Sequence, residues 1–185
     1  MRICDALVVL LLAFPSMTSL WAQSTSSKPA VPPNHPCEGD PDYHKLDFWI
    51  GTWDVYDNHD STLNGTDVVE KIVGGCALVE NWREADSSGE GKSLFYYQKA
   101  KKQWKQLRVT DAGPINEKQL IEELKDGSVR SQGEIPHLDG SSYLDRTTLT
   151  PLPGSRVHQV IEISRDAGKN WETVFDAEYR RPRPN

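Results

Sequence analysis

The chain has 185 residues and a formal net charge of −6, which leaves room for one domain behind a processed N-terminus. The acidic balance excludes the basic footprint of a nucleic-acid binder and mainly favours solubility. Six Trp, six Tyr and four Phe are enough to fill a single core.

Residues 1–22 read as a cleaved secretory signal peptide. Arg2 supplies a thin positive start, Ala6 to Phe14 an apolar stretch, and Pro15 and small residues lead to Ala22. The apolar stretch is too short to span a bilayer, so a secreted or periplasmic protein with no membrane span is expected. No Cys follows closely enough for a lipid anchor. Cleavage leaves Cys37 and Cys76. In an oxidising compartment an even pair implies one disulfide; two free buried thiols are the alternative. Closing a loop of about 40 residues contributes roughly 3–4 kcal/mol in chain-entropy terms.

Residues 23–42 form a Pro- and Ser-rich leader, where Pro29, Pro32, Pro33, Pro36 and Pro41 exclude helix and central strand. Pro41-Asp42-Tyr43-His44 starts a short helical turn. From Gly51 the pattern is β. Trp53, Val55 and Tyr56 open a strand that Asp57-Asn58-His59-Asp60 closes. Val68, Val69, Ile72 and Val73 make a second run, and Cys76 to Arg83 a third. Lys92 to Gln98 and Trp104 to Val109 are the fourth and fifth. Weaker strands follow at 118–124, 128–135 and 143–150, divided by the hairpin signals Asp126-Gly127 and Asp139-Gly140. Val157 to Ser164 and Trp171 to Tyr179 come last. Roughly ten short strands without a long helical pattern predict an all-β antiparallel sandwich or closed barrel over residues 43–181. Residues 182–185 are a tail.

Period-two alternation sorts the faces. In the last strand Trp171, Thr173, Phe175, Ala177 and Tyr179 are expected inside. Leu78, Glu80 and Trp82 share a face of the third strand, and Trp104, Gln106 and Arg108 a face of the fifth. Polar groups beside tryptophans are the unusual feature. Either Glu80, Gln106 and Arg108 pair with each other or with a ligand, because unpaired buried charge is costly, or that side faces a wet barrel mouth.

Ser164 to Trp171 has the spacing S-x-D-x-G-x-x-W, which resembles the Asp-box of sialidases. One copy in so short a chain cannot build a propeller, so it reads as a turn staple in which Asp166 bonds nearby amides. Gly51-Thr52-Trp53 resembles the G-x-W opening of lipocalin-like barrels. There the Trp plugs one barrel end and a late basic residue stacks on it, a place for Arg180 or Arg181.

A wider resemblance joins several stretches: Cys37, Leu46 to Val55, Gly74 to Trp82, Gly91-Lys92-Ser93, Trp104-Lys105-Gln106 and Ser164 to Trp171. Together they are similar to an uncharacterised family of secreted bacterial proteins with a (F/L)DFW…G…W(D/E)V opening and a GGC…L…ENW stretch. The resemblance covers most of residues 37–181. It implies a calycin-like barrel, of the lipocalin-like and nitrobindin-like kind, with an antiparallel up-and-down sheet of about ten strands. It carries no function over. The family often has Trp where this chain has Arg108, and Arg where it has His158, so the ligand would differ at those positions. In a bacterial protein the Asn64-Gly65-Thr66 sequon is a coincidence, and Asn-Gly reads as a turn.

Nitrobindin-like barrels hold haem through an inner-face His. Here Val157, Gln159, Ile161 and Ile163 form the better core face, which turns His158 outward. No H-E-x-x-H, C-x-x-C, H-x-H or G-x-S-x-G occurs, so no metal and no cofactor is expected. The expected function is binding of a small, mostly apolar molecule inside the barrel. Trp82, Trp104, Phe175 and Tyr179 would form its wall; Glu80, Gln106, Arg108 and Gln159 would fix its polar end, with Arg108 suited to a carboxylate. The alternatives are an isomerase- or hydratase-type barrel enzyme using Glu80 with Arg108 or Gln106, and a filled barrel that acts as an interaction module.

Overall fold

Residues 35–113, 115–137 and 139–183 are described by a computed structural model. The signal peptide expected at 1–22 and the leader up to residue 34 lie outside the described residues.

The Asp40 carboxylate accepts from the Asp42 amide at 3.1 Å and starts a 3₁₀ turn, Pro41–His44. A second turn, Asp47–Trp49, follows, and Gly51 opens the sheet. Ten strands then run in order: β1 Gly51–Asp57, β2 Leu63–Ile72, β3 Ala77–Glu84, β4 Glu90–Gln98, β5 Gln103–Thr110, β6 Ile115–Glu123, β7 Val129–Pro136, β8 Ser142–Leu152, β9 Arg156–Ser164 and β10 Glu172–Arg180. Each pairs antiparallel with the next, and β1 pairs with β10 to close the barrel, with Val55 opposite Tyr179. Closure leaves the sheet without a free edge.

One end of the barrel is filled. Trp53 and Trp49 are buried, and Trp49 meets Phe95 and Tyr179 edge-on at 5.3 and 6.1 Å. The Trp53 Nε1–H donates to the Trp49 carbonyl at 2.9 Å. The two 3₁₀ turns cap this end: the Tyr97 hydroxyl donates to the Asp42 carboxylate at 2.8 Å, and the Trp104 Nε1–H to the Asp42 carbonyl at 2.9 Å. Cys37 and Cys76 form the disulfide that ties the cap to the loop before β3. The Arg181 guanidinium lies on Trp53, its carbon 3.6 Å from the ring centre. A β-carbon on Gly51 would stand 1.6 Å from the Arg181 Nη1, so the residue before Thr52 has to be glycine for the arginine to reach.

Two local readings change. Asn64-Gly65 lies within β2, not in a turn, and Gly65 pairs with Val55 and Glu84. The turn is made by Asp57 to Thr62, where Asp57 and Asp60 accept backbone amides. A β-carbon at Gly65 would meet the Arg83 carbonyl at 2.3 Å and the Trp82 ring at 2.6 Å, so glycine serves close strand packing. Trp171 and Thr173 leave the inward row. The register shifts between Thr173 and Phe175, so Thr173 faces Glu162 whereas Phe175 faces Ile161. Such a bulge inverts the alternation. Trp171 lies outside, under the Arg146 guanidinium at 3.8 Å. The S-x-D-x-G-x-x-W turn is stapled as expected: the Asp166 carboxylate accepts from the Ser164 hydroxyl and the Asn170 amide, each at 2.8 Å, and is held down at about 2 by those bonds, the amide's first.

Among the described residues no helix is long and apolar enough to cross a membrane.

Candidate functional site

The other half of the barrel interior is not filled. A cavity of about 210 Å³ lies there, smaller than the roughly 300–1,000 Å³ of pockets for drug-sized ligands. Its apolar wall is Trp82 from β3, Ile161 from β9 and Phe175 from β10, with Trp82 and Phe175 edge-to-face at 6.3 Å. Its polar lining is Glu80, Gln106, Arg108, Lys118, Thr147 and Gln159, with Tyr179 below. Trp82, Glu84 and Phe175 also line an open vestibule of about 480 Å³ towards the solvent.

Register explains how these groups meet. Ser93 on β4 lies between Glu80 on β3 and Arg108 on β5. The Arg108 Nη1 donates to Glu80 Oε2 at 3.0 Å and to the Ser93 hydroxyl at 3.4 Å, and the Gln106 amide donates to the same hydroxyl at 3.3 Å. The Glu80 side chain is 5% exposed and that of Arg108 24%. On the far side the Lys118 Nζ donates to Asp145 Oδ1 at 2.5 Å and to the Thr147 hydroxyl at 2.7 Å. The Tyr179 hydroxyl donates to Gln159 Oε1 at 2.7 Å. Two cation–carboxylate pairs thus border the cavity, Arg108 with Glu80 in the lining and Lys118 with Asp145 behind it, and Glu84 is a further carboxylate of the lining; pairing makes such burial tolerable.

One buried carboxyl has no such partner. Asp67 on β2 is fully buried between Trp53 and Trp82 in register, and neither of its oxygens accepts a hydrogen bond. Burial first, then the charge of Glu80, push it up to about 8, with Arg108 pulling against them. Asp67 is accordingly a neutral acid at pH 7.

Of the residues expected to meet a ligand, Glu80, Trp82, Gln106, Arg108, Gln159, Phe175 and Tyr179 line this cavity. Trp104 does not. It belongs to the filled end, 2% exposed, tilted against Tyr97 at 5.9 Å and bonded to Asp42, because the 3₁₀ cap reaches down to its indole N–H. Only a void of about 20 Å³ adjoins it, the size of a single water. His158 sits on the outer wall with its Nε2 2.7 Å from the Asp176 carboxylate, and no histidine lines the cavity. Among the described residues no group of His, Cys, Asp or Glu could hold a metal.

Lys118, Asp145, Thr147, Ser93 and Asp67 are additions that pattern reading missed. Lys118 is in phase with Leu120, and Asp145 and Thr147 with Leu149, which face the core. That phase was the available signal. Asp67 was hidden by reading Asn64-Gly65 as a turn, which starts the strand at Val68, five residues after its first residue Leu63. Compared with family models and with curated proteins, the chain matches none.

Proposed function

We propose that the barrel binds one small, mostly apolar molecule in its interior, with an oxygen acceptor such as a carboxylate at its polar end. The carrying observation is that one half of the barrel is packed with aromatic rings while the other keeps a cavity with an aromatic wall and a hydrogen-bonding floor. The Arg108 Nη1 serves Glu80 and Ser93, whereas its Nε and Nη2 make no hydrogen bond among the described residues. Those two donors form the edge that takes a carboxylate side-on. Trp82 and Phe175 supply the face for the apolar body. The apolar N-terminal stretch and the Cys37–Cys76 disulfide support action outside the cytoplasm. A filled barrel working only through its surface fits less well, since the cavity is several times the volume of a water.

The test is native mass spectrometry on the protein secreted by its own host, followed by solvent extraction. One small molecule per chain is expected, lost from an Arg108→Ala variant. Empty protein that also fails to bind hydrophobic carboxylate probes would sink the reading.

One observation favours an enzyme on the same barrel: the buried carboxyl Asp67, whose pKa burial raises, lies near Glu80, the carboxyl paired with Arg108. A carboxyl kept protonated by burial is suited to act as a general acid. This reading expects Glu80→Gln to bind the molecule and fail to turn it over; equal turnover by the variant discards it.

A further inference from the structure

Among the described residues Lys118 is the one lysine that lines the cavity. Its side chain is 5% exposed and runs from β6 past β7 to reach Asp145 and Thr147 on β8. The β7 residue opposite Asp145 is Gly133. A β-carbon there would stand 1.9 Å from the Glu117 carbonyl and 3.2 Å from the Lys118 Cα, so glycine lets β7 lie close against the β6 backbone beside the lysine. Two ammonium protons are donated, to Asp145 at 2.5 Å and Thr147 at 2.7 Å; the third has no acceptor among the described residues. A buried lysine–carboxylate pair is a poor device for stability alone, because apolar residues of equal volume hold strands together at least as well. What it does provide is an amine facing an apolar wall with a proton acceptor in contact.

Resting on the proposed interior ligand, we infer that Lys118 is a covalent carbonyl-binding residue, its ε-amine forming a reversible imine with an aldehyde or ketone on the apolar molecule that the cavity holds. The groups present balance the step. Asp145 takes one proton from the ammonium, and the freed lone pair of Nζ attacks the carbonyl carbon. A proton passes from nitrogen to the former carbonyl oxygen, giving a carbinolamine. Asp145 returns its proton to that hydroxyl, the C–O bond breaks and water leaves. The product is a protonated imine whose charge faces the Asp145 carboxylate. The sum is carbonyl plus lysine ammonium giving iminium plus water, with no oxidant or reductant. The Thr147 hydroxyl accepts from the same nitrogen at 2.7 Å and holds it in position. Burial, the largest influence, lowers the Lys118 ammonium from its ordinary value, with Arg108 adding to it and Asp145 opposing. Desolvation of this kind is the ordinary route to a nucleophilic lysine.

The experiment uses the mature chain, trans-cinnamaldehyde as the probe, borohydride to fix any imine, and peptide mapping by mass spectrometry. Binding of cinnamyl alcohol, followed by tryptophan fluorescence, runs in parallel. One reduced adduct per chain is expected, on Lys118, with the exposed Lys101, Lys102 and Lys125 labelled about tenfold less. Lys118→Arg keeps a cation beside Asp145 and is expected to lose the adduct; should it not fold, mapping on the unaltered chain decides. If the alcohol binds and Lys118 stays unmodified, the covalent step is wrong and the cavity reading stands. If label spreads evenly over surface lysines, the covalent step is again wrong. If neither probe engages the protein, both readings fall.

Discussion

The Arg181 guanidinium covers the Trp53 indole at 3.6 Å, while its Nη2 donates to the Ile50 carbonyl at 2.9 Å. The last described stretch of chain thus clamps the first strand over a fully buried ring. A partly exposed cation–π contact plus one hydrogen bond contributes about 1–2 kcal/mol. Arg181→Ala is expected to lower unfolding stability by that amount in a denaturant titration. Arg180→Ala, which loses a looser stack on Tyr56 at 4.7 Å, is expected to cost less. Equal losses would place the clamp elsewhere.

Asp67 makes stability fall as pH rises. Its folded value of about 8 lies above its ordinary value of 3.8, so the native state holds a proton that the unfolded chain releases. The penalty is absent below about pH 4, grows between about 4 and 8, and levels off above. Asp67→Asn removes it. Urea titrations are expected to show the variant gaining on the unaltered protein across that window and by a constant margin beyond it. A difference independent of pH would mean that Asp67 is not protonated in the native state.

Glu80 and Arg108 should behave as a unit. Arg108→Met leaves the Glu80 carboxylate buried without its cation. Removing one member of a buried pair costs about 3–5 kcal/mol, and partial exposure of Arg108 reduces this to about 2 kcal/mol. Glu80→Gln in the same chain is expected to restore more than half of the loss. Additive losses in the double variant would show that the pair contributes nothing through its interaction.

The Cys37–Cys76 bridge closes a segment with a sequence separation of 39. Loop-closure entropy of that length is worth about 4 kcal/mol. The double Cys→Ala variant is expected to lose roughly that much, and the unaltered protein to lose as much under reducing agent. A loss well below 1 kcal/mol would show that the 3₁₀ cap holds its place by packing alone.

Pattern reading reached an antiparallel all-β fold, sandwich or barrel, because alternation and turn chemistry are local; the up-and-down barrel came from the resemblance. Asp126-Gly127 and Asp139-Gly140 do form hairpin turns, where Asp126 and Asp139 accept the Ser128 and Ser141 amides at 2.9 Å. The inward rows of β3 and β5 were legible from Leu78-x-Glu80-x-Trp82 and Trp104-x-Gln106-x-Arg108, and most of the cavity lining followed. Trp171 was misplaced because a bulge between Thr173 and Phe175 shifts the register, and one residue of slip turns a side chain to the opposite face. Asn64-Gly65 failed for a related reason: a strong turn dipeptide served as the thin spot where Trp82 packs.

The sequence by itself determined the all-β class, the approximate placement of the strands, the cysteine pair and the identities of the aromatic rings, since each follows from residue type and spacing along the chain. The tertiary structure alone decided which half of the interior is filled. Depth along the barrel axis depends on strand tilt and register, which no single strand encodes. It put Trp104 under the cap and Trp82 beside the cavity, although both sit on inward rows. It also joined Lys118 to Asp145 across three strands, 27 residues apart, a contact made only when the sheet curls closed.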